Sequence, residues 1–461
     1  MRVFTGFAAG LLAALALPAA AVDFERQTLA ANDGWAASGS GTTGGSLATS
    51  DQVYTVTTRA EFIAALNNGV PSSTSPSNPS NTPKIVRVQG TIDFNVDELN
   101  QPLSCEDYFR PDPTTGEVFS YEAFEAAFDP NGSWGRVNPS GPQERGRVAS
   151  AAAQQARVRI RPGSNTTIIG AGKDATLKGI WMDIRGTAGV ANSRTNIIVR
   201  NLNFVDTHDC FPQWAPNDGA LGSWNALYDA ISLRDSNNVW IDHNSFQDVD
   251  TADGTLPDRF GVLFQVHDGL LDITNASDLV TVSWNKFRNH DKVMLIGSSD
   301  NAPADVGKLR VTLHHNEFAG LGQRVPRVRF GQVHVYNNYY KICSTPNYGY
   351  SWGVGIQSQV YAEDNFFLID TGAIAPARVI SRFNGTNIHA GGSRVTVGRR
   401  IREVDLVAEY NAVNDPDLVP TVGWAPTLFK VVHDARVVPL LVELLAGTGA
   451  TRFRLRDIGC P

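Results

Sequence analysis

The run LRVTLHHNEF at residues 309–318 is one of five segments that end in the same way, with an asparagine followed two residues later by an aromatic residue. The successive asparagines are separated by 41, 31, 22 and 27 residues. A repeat with a minimum near 22 residues and a variable excess is typical of stacked coils interrupted by loop insertions. The five segments are LRVTLHHNEF, NVWIDHNSF from 238, LVTVSWNKF from 279, QVHVYNNYY from 332 and QVYAEDNFF from 359; their asparagines are Asn244, Asn285, Asn316, Asn338 and Asn365, and their aromatic residues are Phe246, Phe287, Phe318, Tyr340 and Phe367.

The composition of these runs favours strands that are covered on both faces. β-Branched and aromatic residues are enriched in strands, and near-continuous apolar runs are typical of parallel sheets. Asparagine tolerates the left-handed conformation of a turn, and stacked amides can bond one above another. We therefore predict an all-β, single-domain, right-handed parallel β-helix with loop insertions and a few short helices. The alternative is an all-β sandwich in which the pattern recurs by chance. Asn201 fits the repeat loosely, with Phe204 one residue late.

The segments outside these runs predict loops and two helices. Residues 67–83 are rich in Ser, Pro and Asn and have no periodicity, as in a loop. Residues 142–156 and 437–446 contain many helix-forming residues, and we predict one short helix in each.

The first 21 residues have the features of a secretory signal peptide. Arg2 is followed by an apolar run through Leu17 and by alanines at 19–21. The run is shorter than the roughly 20 residues that span a bilayer, so a membrane anchor is disfavoured. We expect a secreted, extracellular protein whose single domain occupies residues 22–461.

Export permits disulfide bonds. The four cysteines allow three pairings, among which the sequence does not choose, and they lack the spacing of a zinc site. The pairing that we favour joins Cys105 to Cys210 and Cys343 to Cys460.

The overall charge argues against several partners. The chain of 461 residues has 39 basic and 46 acidic side chains, a net charge of −7 and 18% charged residues, which is ordinary for a globular protein. Nucleic-acid-binding proteins usually carry a basic excess. We expect no nucleic acid and no membrane as partner, a monomeric state, and a local basic cluster wherever an anionic ligand binds.

Three acidic residues are candidates for a metal site. Asp229 lies in NALYDAISL, and Asp268 and Asp272 lie in VHDGLLD. Carboxylate oxygens are the ligands that Ca²⁺ prefers. Because aspartate is also common in solvated turns, the three residues alone do not establish a site.

Three basic residues follow closely in the chain. Lys292 lies in HDKVMLIGSSD, and Arg324 and Arg329 lie in GQRVPRVRFG. Such a cluster suits the carboxylates of an anionic substrate, although an ordinary solvated strand edge is the alternative. Arg327 would suit such a solvated edge equally well. Because Pro326 interrupts the strand, residue parity does not settle which face Arg327 occupies.

WIDHNSF, VTVSWNKF, HDKVMLIGSSD, RVTLHHN and QRVPRVRFGQVHVYNNYY together resemble the extracellular pectate lyases of polysaccharide lyase family 1. The likeness runs from QTLAANDGWA at 27–36 through FPQW at 211–214 to YSWGVGIQSQVYAEDN at 350–365. The resemblance implies a right-handed parallel β-helix that binds Ca²⁺. It also implies cleavage of polygalacturonate, (1→4)-α-D-galacturonan, by β-elimination to 4,5-unsaturated oligogalacturonides.

The resemblance assigns a role to each candidate residue. Asp229, Asp268 and Asp272 match the calcium-binding carboxylates of the family. Lys292, Arg324 and Arg329 match its catalytic and substrate-binding cations, with Arg324 at the position of the proposed base. Lys292 is the rival base, because an ammonium group loses its proton more readily than a guanidinium group; either base favours an alkaline optimum. Some members have a further acidic ligand where this chain has Leu227.

Two other classes of protein remain possible from the sequence. A β-helix glycoside hydrolase would use paired carboxylates and water, and a pectin lyase acting on methyl-esterified polymer would not need the calcium ligands. An adhesin would have no reason to place three cations beside three aspartates. We expect hydrogen-bonding rather than catalytic roles for the histidines and for Asp242, which we assign to a turn or to coil stacking; the histidines are His243, His267, His290, His314, His315 and His334.

Overall fold

Successive coils of the chain add one strand to each of three parallel sheets, which confirms the predicted parallel β-helix. In one coil the chain passes from Ile231–Arg234 to Asn237–Asp242 and Ser245–Gln247, and then returns through a long loop to Leu271–Thr274. We call the sheets visited in this order the first, second and third sheet. The computed structural model describes residues 24–252, 254–342, 347–369, 374–397 and 400–449.

Among the described residues the first sheet has eight strands, all parallel. They are Arg159–Ile160, Trp181–Arg185, Ile231–Arg234, Leu271–Thr274, Leu295–Ile296, Arg327–Val328, Trp352–Gly355 and Ile380–Phe383.

In the part of the chain that the structure describes, the second sheet has ten parallel strands. They are Val53–Val56, Lys84–Val88, Thr166–Gly170, Thr195–Arg200, Asn237–Asp242, Asp278–Ser283, Val311–His314, Gln332–Tyr336, Gln359–Glu363 and Ile388–Gly391.

Within the described ranges the third sheet has ten strands, and the last of them runs antiparallel to its neighbour. They are Thr91–Asp93, Thr176–Lys178, Asn203–Val205, Ser245–Gln247, Lys286–Lys292, Glu317–Gln323, Tyr339–Ile342, Phe366–Ile369, Arg394–Val397 and Arg400–Glu403. A separate hairpin pairs Gln213–Ala215 with Ser223–Asn225.

Both predicted helices are present, as Pro142–Val158 and Val438–Leu445, and residues 67–83 form a loop. The helix at Val438–Leu445 packs on the third sheet through Tyr339 and Phe366. The other α-helices are Arg59–Leu66, Tyr121–Phe128 and Leu406–Asn411; the 3₁₀ turns are Trp35–Ala37, Ser50–Gln52, Glu106–Tyr108, Pro303–Asp305, Pro376–Val379 and Ala435–Val437.

The repeated asparagines form the predicted ladder between the second and third sheets. The side-chain amide of Asn285 donates to Asn316 Oδ1 at 3.0 Å, that of Asn316 to Asn338 Oδ1 at 2.9 Å, and that of Asn338 to Asn365 Oδ1 at 3.1 Å. These four asparagines are fully buried, so a side-chain amide without a hydrogen-bond partner would carry a desolvation cost. Asn201 stands outside the ladder, because Leu202 occupies that level and donates its backbone N–H to Asn244 Oδ1.

The aromatic residues of the repeat stack inside the coil. Neighbouring ring centroids lie 4.4–5.2 Å apart, and each ring is at most 2% exposed. One aromatic residue per coil therefore continues the same contact, which fixes the register of the third sheet. The stack comprises Phe204, Phe246, Phe287, Phe318, Tyr340 and Phe367.

A second hydrophobic cluster, which the sequence does not predict, lies outside the coils. It is built around the segment 105–142 and the loop that follows the strand Asn203–Val205, and a disulfide between Cys105 and Cys210 joins these two parts. That bond is the first of the two expected pairings; Cys343 and Cys460 lie outside the described residues, as does the expected signal peptide. The cluster comprises Tyr108, Phe119, Phe124, Phe128, Phe211, Trp214, Trp224, Phe264 and Val266.

A row of histidines crosses the outside of the coil beside the C-terminal segment. His315 Nδ1 lies 2.9 Å from His314 Nδ1, and His315 Nε2 lies 3.0 Å from His433 Nδ1. The ring of His315 stacks on Trp284 at 4.2 Å, and His314 Nε2 lies 3.3 Å from Asp33. Burial, together with the neighbouring imidazoles of His314 and His433, lowers the pKa of His315 to about 2.

The depressed pKa of His315 predicts a loss of stability in acid. The unfolded chain takes up this proton below about pH 6.5, whereas the folded protein does not until about pH 2. Stability from this group is therefore complete above pH 6.5 and falls by about 1.4 kcal/mol per pH unit below it. We expect the free energy of unfolding, measured in urea, to fall by about 2 kcal/mol less between pH 7 and pH 5 in His315→Asn than in the parent.

Asparagine is the suitable replacement because residue 315 has a left-handed backbone, with φ of 54°. His243→Asn is the matched control, since His243 has the same backbone conformation and also stacks on Trp284. An equal acid loss in His315→Asn and in the parent would contradict the prediction.

Candidate active site

Five of the six residues singled out in the sequence lie along the edge of the first sheet where its strands begin, whereas Arg329 directly follows the strand Arg327–Val328. Asp229 precedes Ile231–Arg234, whereas Asp268 and Asp272 flank the start of Leu271–Thr274. Lys292 forms a parallel bridge with Gly269 on the preceding coil.

The next coil continues the same edge. The backbone N–H of Val293 donates to Gln323 at 3.1 Å, and that of Met294 donates to Arg324 at 2.8 Å. Lys292, Arg324 and the aspartates therefore share one flank of the coil, as the proposed chemistry requires.

Asp229 and Asp272 direct carboxylate oxygens at the same space, on either side of Gly269. Asp229 Oδ1 accepts the backbone N–H of Gly269 at 2.9 Å, and its Oδ2 accepts a short hydrogen bond from Ser232. Asp272 Oδ1 accepts the backbone N–H of Leu295 at 2.9 Å. A Cβ atom added to Gly269 would lie 2.6 Å from Asp272 Oδ1 and 2.8 Å from Asp229 Oδ1. Only glycine leaves this space open.

The carboxylates are costly to keep ionised without a cation. Burial raises the pKa of Asp229 well above its usual value, and the charges of Asp272 and Asp268 raise it further. Burial, with the charge of Asp268, raises the pKa of Asp272 to about 7, although Arg324 opposes this shift. A divalent cation would relieve both the burial cost and the mutual repulsion. Because all the donors are hard oxygen atoms, the site fits Ca²⁺.

Two of the cations have little engagement with the protein itself. Lys292 Nζ lies 3.9 Å from Asp268 Oδ1, which is too long for a hydrogen bond. Arg324 has a left-handed backbone with φ of 60°, and its buried Nε has no hydrogen-bond partner among the described residues. Buried donors normally have partners. An anionic ligand at this edge would supply them.

Arg329 is held in place by the loop that follows the strand Leu295–Ile296. Its Nε donates to Asp300 Oδ1 at 2.6 Å, and its Nη1 donates to the carbonyl of Gly297 at 2.8 Å. Because Val328 is fully buried, its neighbours Arg327 and Arg329 project outward, which settles the parity that Pro326 obscured. The guanidinium of Arg327 lies 4.0 Å above the ring of Phe383.

The departure from the family pattern at Leu227 is visible as an exposed apolar side chain. Leu227 is 48% exposed, and its backbone N–H donates to Asp209 Oδ2 at 3.1 Å. Burial raises the pKa of Asp209 to about 6. Leu227 therefore brings no oxygen ligand from its side chain to this edge.

The histidines and Asp242 have the hydrogen-bonding roles that we expected. Asp242 is buried and accepts hydrogen bonds from Arg200 on the preceding coil at 2.8 Å and from Ser283 on the next at 2.7 Å. His243 Nδ1 lies 2.7 Å from Asp242, and His334 Nε2 lies 2.8 Å from Glu363.

Sequence reasoning did not assign to the site the partners that hold Asp229, Asp268 and Arg329. They are Ser232, Gly269, Asp300, Asp248 and His290, which contact a candidate residue directly or through one neighbour. Four of the five lie inside motifs quoted for the candidates, so a search of the same runs could have raised them; the exception is Asp248. Their geometry depends on how the coils stack, which no single motif contains.

The family model for pectate lyases matches residues 3–104 and 143–411 of the chain. The chain belongs to the pectate lyase family. The unmatched gap coincides with the segment 105–142, so this segment, which supplies one of the two parts of the second hydrophobic cluster, is an insertion relative to the family model. The parallel β-helix fold that the resemblance implied is confirmed.

Individual relatives agree over nearly the whole length. A pectate lyase of Bacillus subtilis is 39% identical over 433 residues, which are 93% of this chain and 94% of the relative. The structure of a thermostable pectate lyase, PL 47, superposes with a TM-score of 0.87 at 44% identity and covers 93% of this chain and 100% of its own. A structure described for the substrate specificity and anti β-elimination mechanism of pectate lyase has a TM-score of 0.83 at 38% identity, with the same coverage.

Proposed function

We propose that this pectate lyase is secreted and calcium-dependent, and that it cleaves polygalacturonate by β-elimination to give 4,5-unsaturated oligogalacturonides. The observation that carries the proposal is the convergence at one edge of carboxylates around Gly269 with the sparsely engaged cations Lys292 and Arg324. The related structure described for an anti β-elimination mechanism supports the reaction type.

The chemistry requires both kinds of charge. The proton to be removed, on C5 of the uronate, lies α to a carboxylate, so its abstraction places a second negative charge beside the first. Calcium, when bound by Asp229, Asp268 and Asp272, would neutralise the substrate carboxylate and stabilise the charge that develops. The substrate bond that breaks is the one to the 4-linked oxygen.

The chain's own cations bind and orient the sugar acid. Arg329, held by Asp300 and Gly297, keeps part of its guanidinium for a uronate carboxylate. Lys292 would bind the same or a neighbouring uronate and hold the ring in reacting geometry. Arg324 in its deprotonated, neutral form would accept the C5 proton, and Lys292, also deprotonated, is the rival base.

Secretion and monomeric action are part of the proposal. Secretion rests on the signal-like residues 1–21, with 22–461 as one domain. Across the part of the chain that the structure describes, no helix is both long enough and apolar enough to cross a bilayer.

Ultraviolet absorbance of the products of polygalacturonate tests the reaction. Elimination creates a double bond that absorbs in the ultraviolet, whereas a hydrolase would release only new reducing ends. We expect absorbance to rise at alkaline pH with added Ca²⁺, to stop in excess chelator, and to resume when Ca²⁺ is restored. Reducing ends without absorbance would identify a hydrolase, and full activity in chelator would exclude the calcium mechanism.

A further inference from the structure

A buried group of one aspartate and two histidines lies directly behind the loop that carries Asp268. Asp248 is 5% exposed, His290 is 7% exposed and His267 is 1% exposed. The two imidazole rings meet edge to face with centroids 5.8 Å apart. Asp248 Oδ2 lies 2.6 Å from His290 Nδ1, and Asp248 Oδ1 lies 3.5 Å from His267 Nδ1.

His290 connects this group to Asp268 through both of its ring nitrogens. Nδ1 lies 2.6 Å from a carboxylate oxygen of Asp248, and Nε2 lies 2.9 Å from the backbone carbonyl of Asp268. With one ring nitrogen on each partner, the His290 ring is held between Asp248 and the main chain at Asp268.

His267 holds the same loop from the preceding residue. Its Nδ1 lies 2.7 Å from the carbonyl of Thr207, and its Nε2 lies 2.7 Å from the carbonyl of Thr251. The main chain at 267–268 is therefore tied to two other loops and, through His290, to the third sheet.

Asp268 needs such external support more than the other two aspartates do. Its side chain is 29% exposed, and among the described residues its carboxylate accepts no hydrogen bond, with Lys292 at 3.9 Å as its nearest cation. Asp229 and Asp272, by contrast, are buried and each accepts a backbone N–H. The place of the Asp268 carboxylate is consequently set by its main chain.

We propose that His290 and Asp248 are positioning residues that hold Asp268 in the geometry with which it binds Ca²⁺. The proposal rests on the calcium site of the proposed function. Hydrogen bonds that orient metal ligands from behind typically change metal affinity by about 10- to 100-fold when they are removed.

The test measures Ca²⁺ binding by the full chain without substrate, from the rise of the melting temperature with CaCl₂ concentration. Glutamine at 290 can donate to one of the two partners but not to both. We expect His290→Gln and Asp248→Asn each to raise the Kd for Ca²⁺ by about 10- to 100-fold. At saturating Ca²⁺, kcat on polygalacturonate should return toward that of the parent, because neither residue touches the substrate.

His334→Gln is the matched control. His334 is also a buried histidine paired with a carboxylate, Glu363 at 2.8 Å, but it lies on the second sheet. We expect His334→Gln to lower the melting temperature and to leave the Kd for Ca²⁺ unchanged.

The outcomes separate this proposal from the function on which it rests. If the parent binds Ca²⁺ and both variants bind it with the parent's Kd, the positioning role is wrong and the calcium site stands. If the parent itself shows no shift with CaCl₂, or if Asp272→Asn binds as the parent does, the proposed calcium site is wrong. Should His290→Gln not fold, Asp248→Asn decides the question by the same measurement.

Discussion

Arg324→Lys is expected to lower kcat on polygalacturonate by about 10²- to 10⁴-fold, the usual contribution of a proton-transferring side chain. The substitution keeps the positive charge at this position. It removes the planar guanidinium, whose buried Nε has no partner among the described residues. A large effect would therefore come from the geometry of the group that meets the substrate, since the sum of charges at the edge is unchanged.

The position of Arg324 supports this expectation. Its backbone is left-handed and its carbonyl accepts the N–H of Met294, so the residue is fixed on the coil next to Lys292. A non-glycine residue in this conformation carries strain that the surrounding structure must hold. Lysine can adopt the same backbone, so we expect Arg324→Lys to fold with a melting temperature close to that of the parent.

The full pH–rate profile distinguishes the two candidate bases. Measurements at saturating Ca²⁺ on the parent, Arg324→Lys and Lys292→Arg would show which substitution abolishes the rise of the rate toward alkaline pH. A rate and optimum like the parent's in Arg324→Lys, together with a collapse in Lys292→Arg, would make Lys292 the base. Arg288→Lys is the control, because Arg288 lies on the same strand as Lys292 but pairs with Glu317 on the third sheet.

The coil architecture could be predicted from the sequence because its determinant is local and repeats. Each asparagine of the ladder needs the same neighbours at the same spacing, so the pattern N-x-aromatic marks one turn after another. The limit of this reasoning is visible at Asn201, where the aromatic residue follows one position late and the amide stands outside the ladder. The one-residue offset in the sequence thus corresponds to a real interruption of the ladder in the structure.

The insertion at 105–142 could not be predicted in the same way. Its aromatic residues bury one another and the loop near Phe211, across about a hundred residues of sequence, and no period links the two parts. Cysteine spacing alone allowed three pairings, so the bond between Cys105 and Cys210 became certain only with the fold. Long-range contacts between irregular segments leave little trace in either segment alone.

In the candidate site, too, features contained in a local motif were predictable and features that depend on long-range contacts were not. The charged residues were recognisable because they lie within short motifs that resemble those of a known family. Their supports were not, because Asp300 and His290 act through the stacking of one coil on another. Gly269 is the most informative of the residues that were missed, since a glycine inside VHDGLLD is indistinguishable from an ordinary turn residue until the two carboxylates are seen on either side of it.

Gly269→Ala is expected to weaken Ca²⁺ binding by at least about 10- to 100-fold, and to lower activity accordingly at limiting Ca²⁺. The added Cβ would lie 2.6 Å from Asp272 Oδ1 and 2.8 Å from Asp229 Oδ1, well inside van der Waals contact. The carboxylates would have to move apart, and the cation between them would lose at least one oxygen ligand. The Gly269 N–H bond that orients Asp229 would shift with them.

We expect Gly269→Ala to act by displacing the carboxylates and not by a general loss of stability. The backbone at Gly269 is not in the left-handed region, so alanine adds contact without conformational strain. Gly172→Ala is the control, because a Cβ there meets no atom within 4 Å and its backbone is likewise permissive. We expect this control to keep the parent's Ca²⁺ dependence of both melting temperature and activity.

The dependence of activity and of melting temperature on Ca²⁺ concentration tests the prediction for Gly269→Ala. A rightward shift of the activity curve, with the same shift in the melting-temperature curve, would mean that the space between Asp229 and Asp272 is where the cation binds. An unchanged Ca²⁺ response in a folded Gly269→Ala variant would place the cation elsewhere. In that case the convergence of these two carboxylates would have to be explained by their hydrogen bonds to Ser232, Gly269 and Leu295 alone.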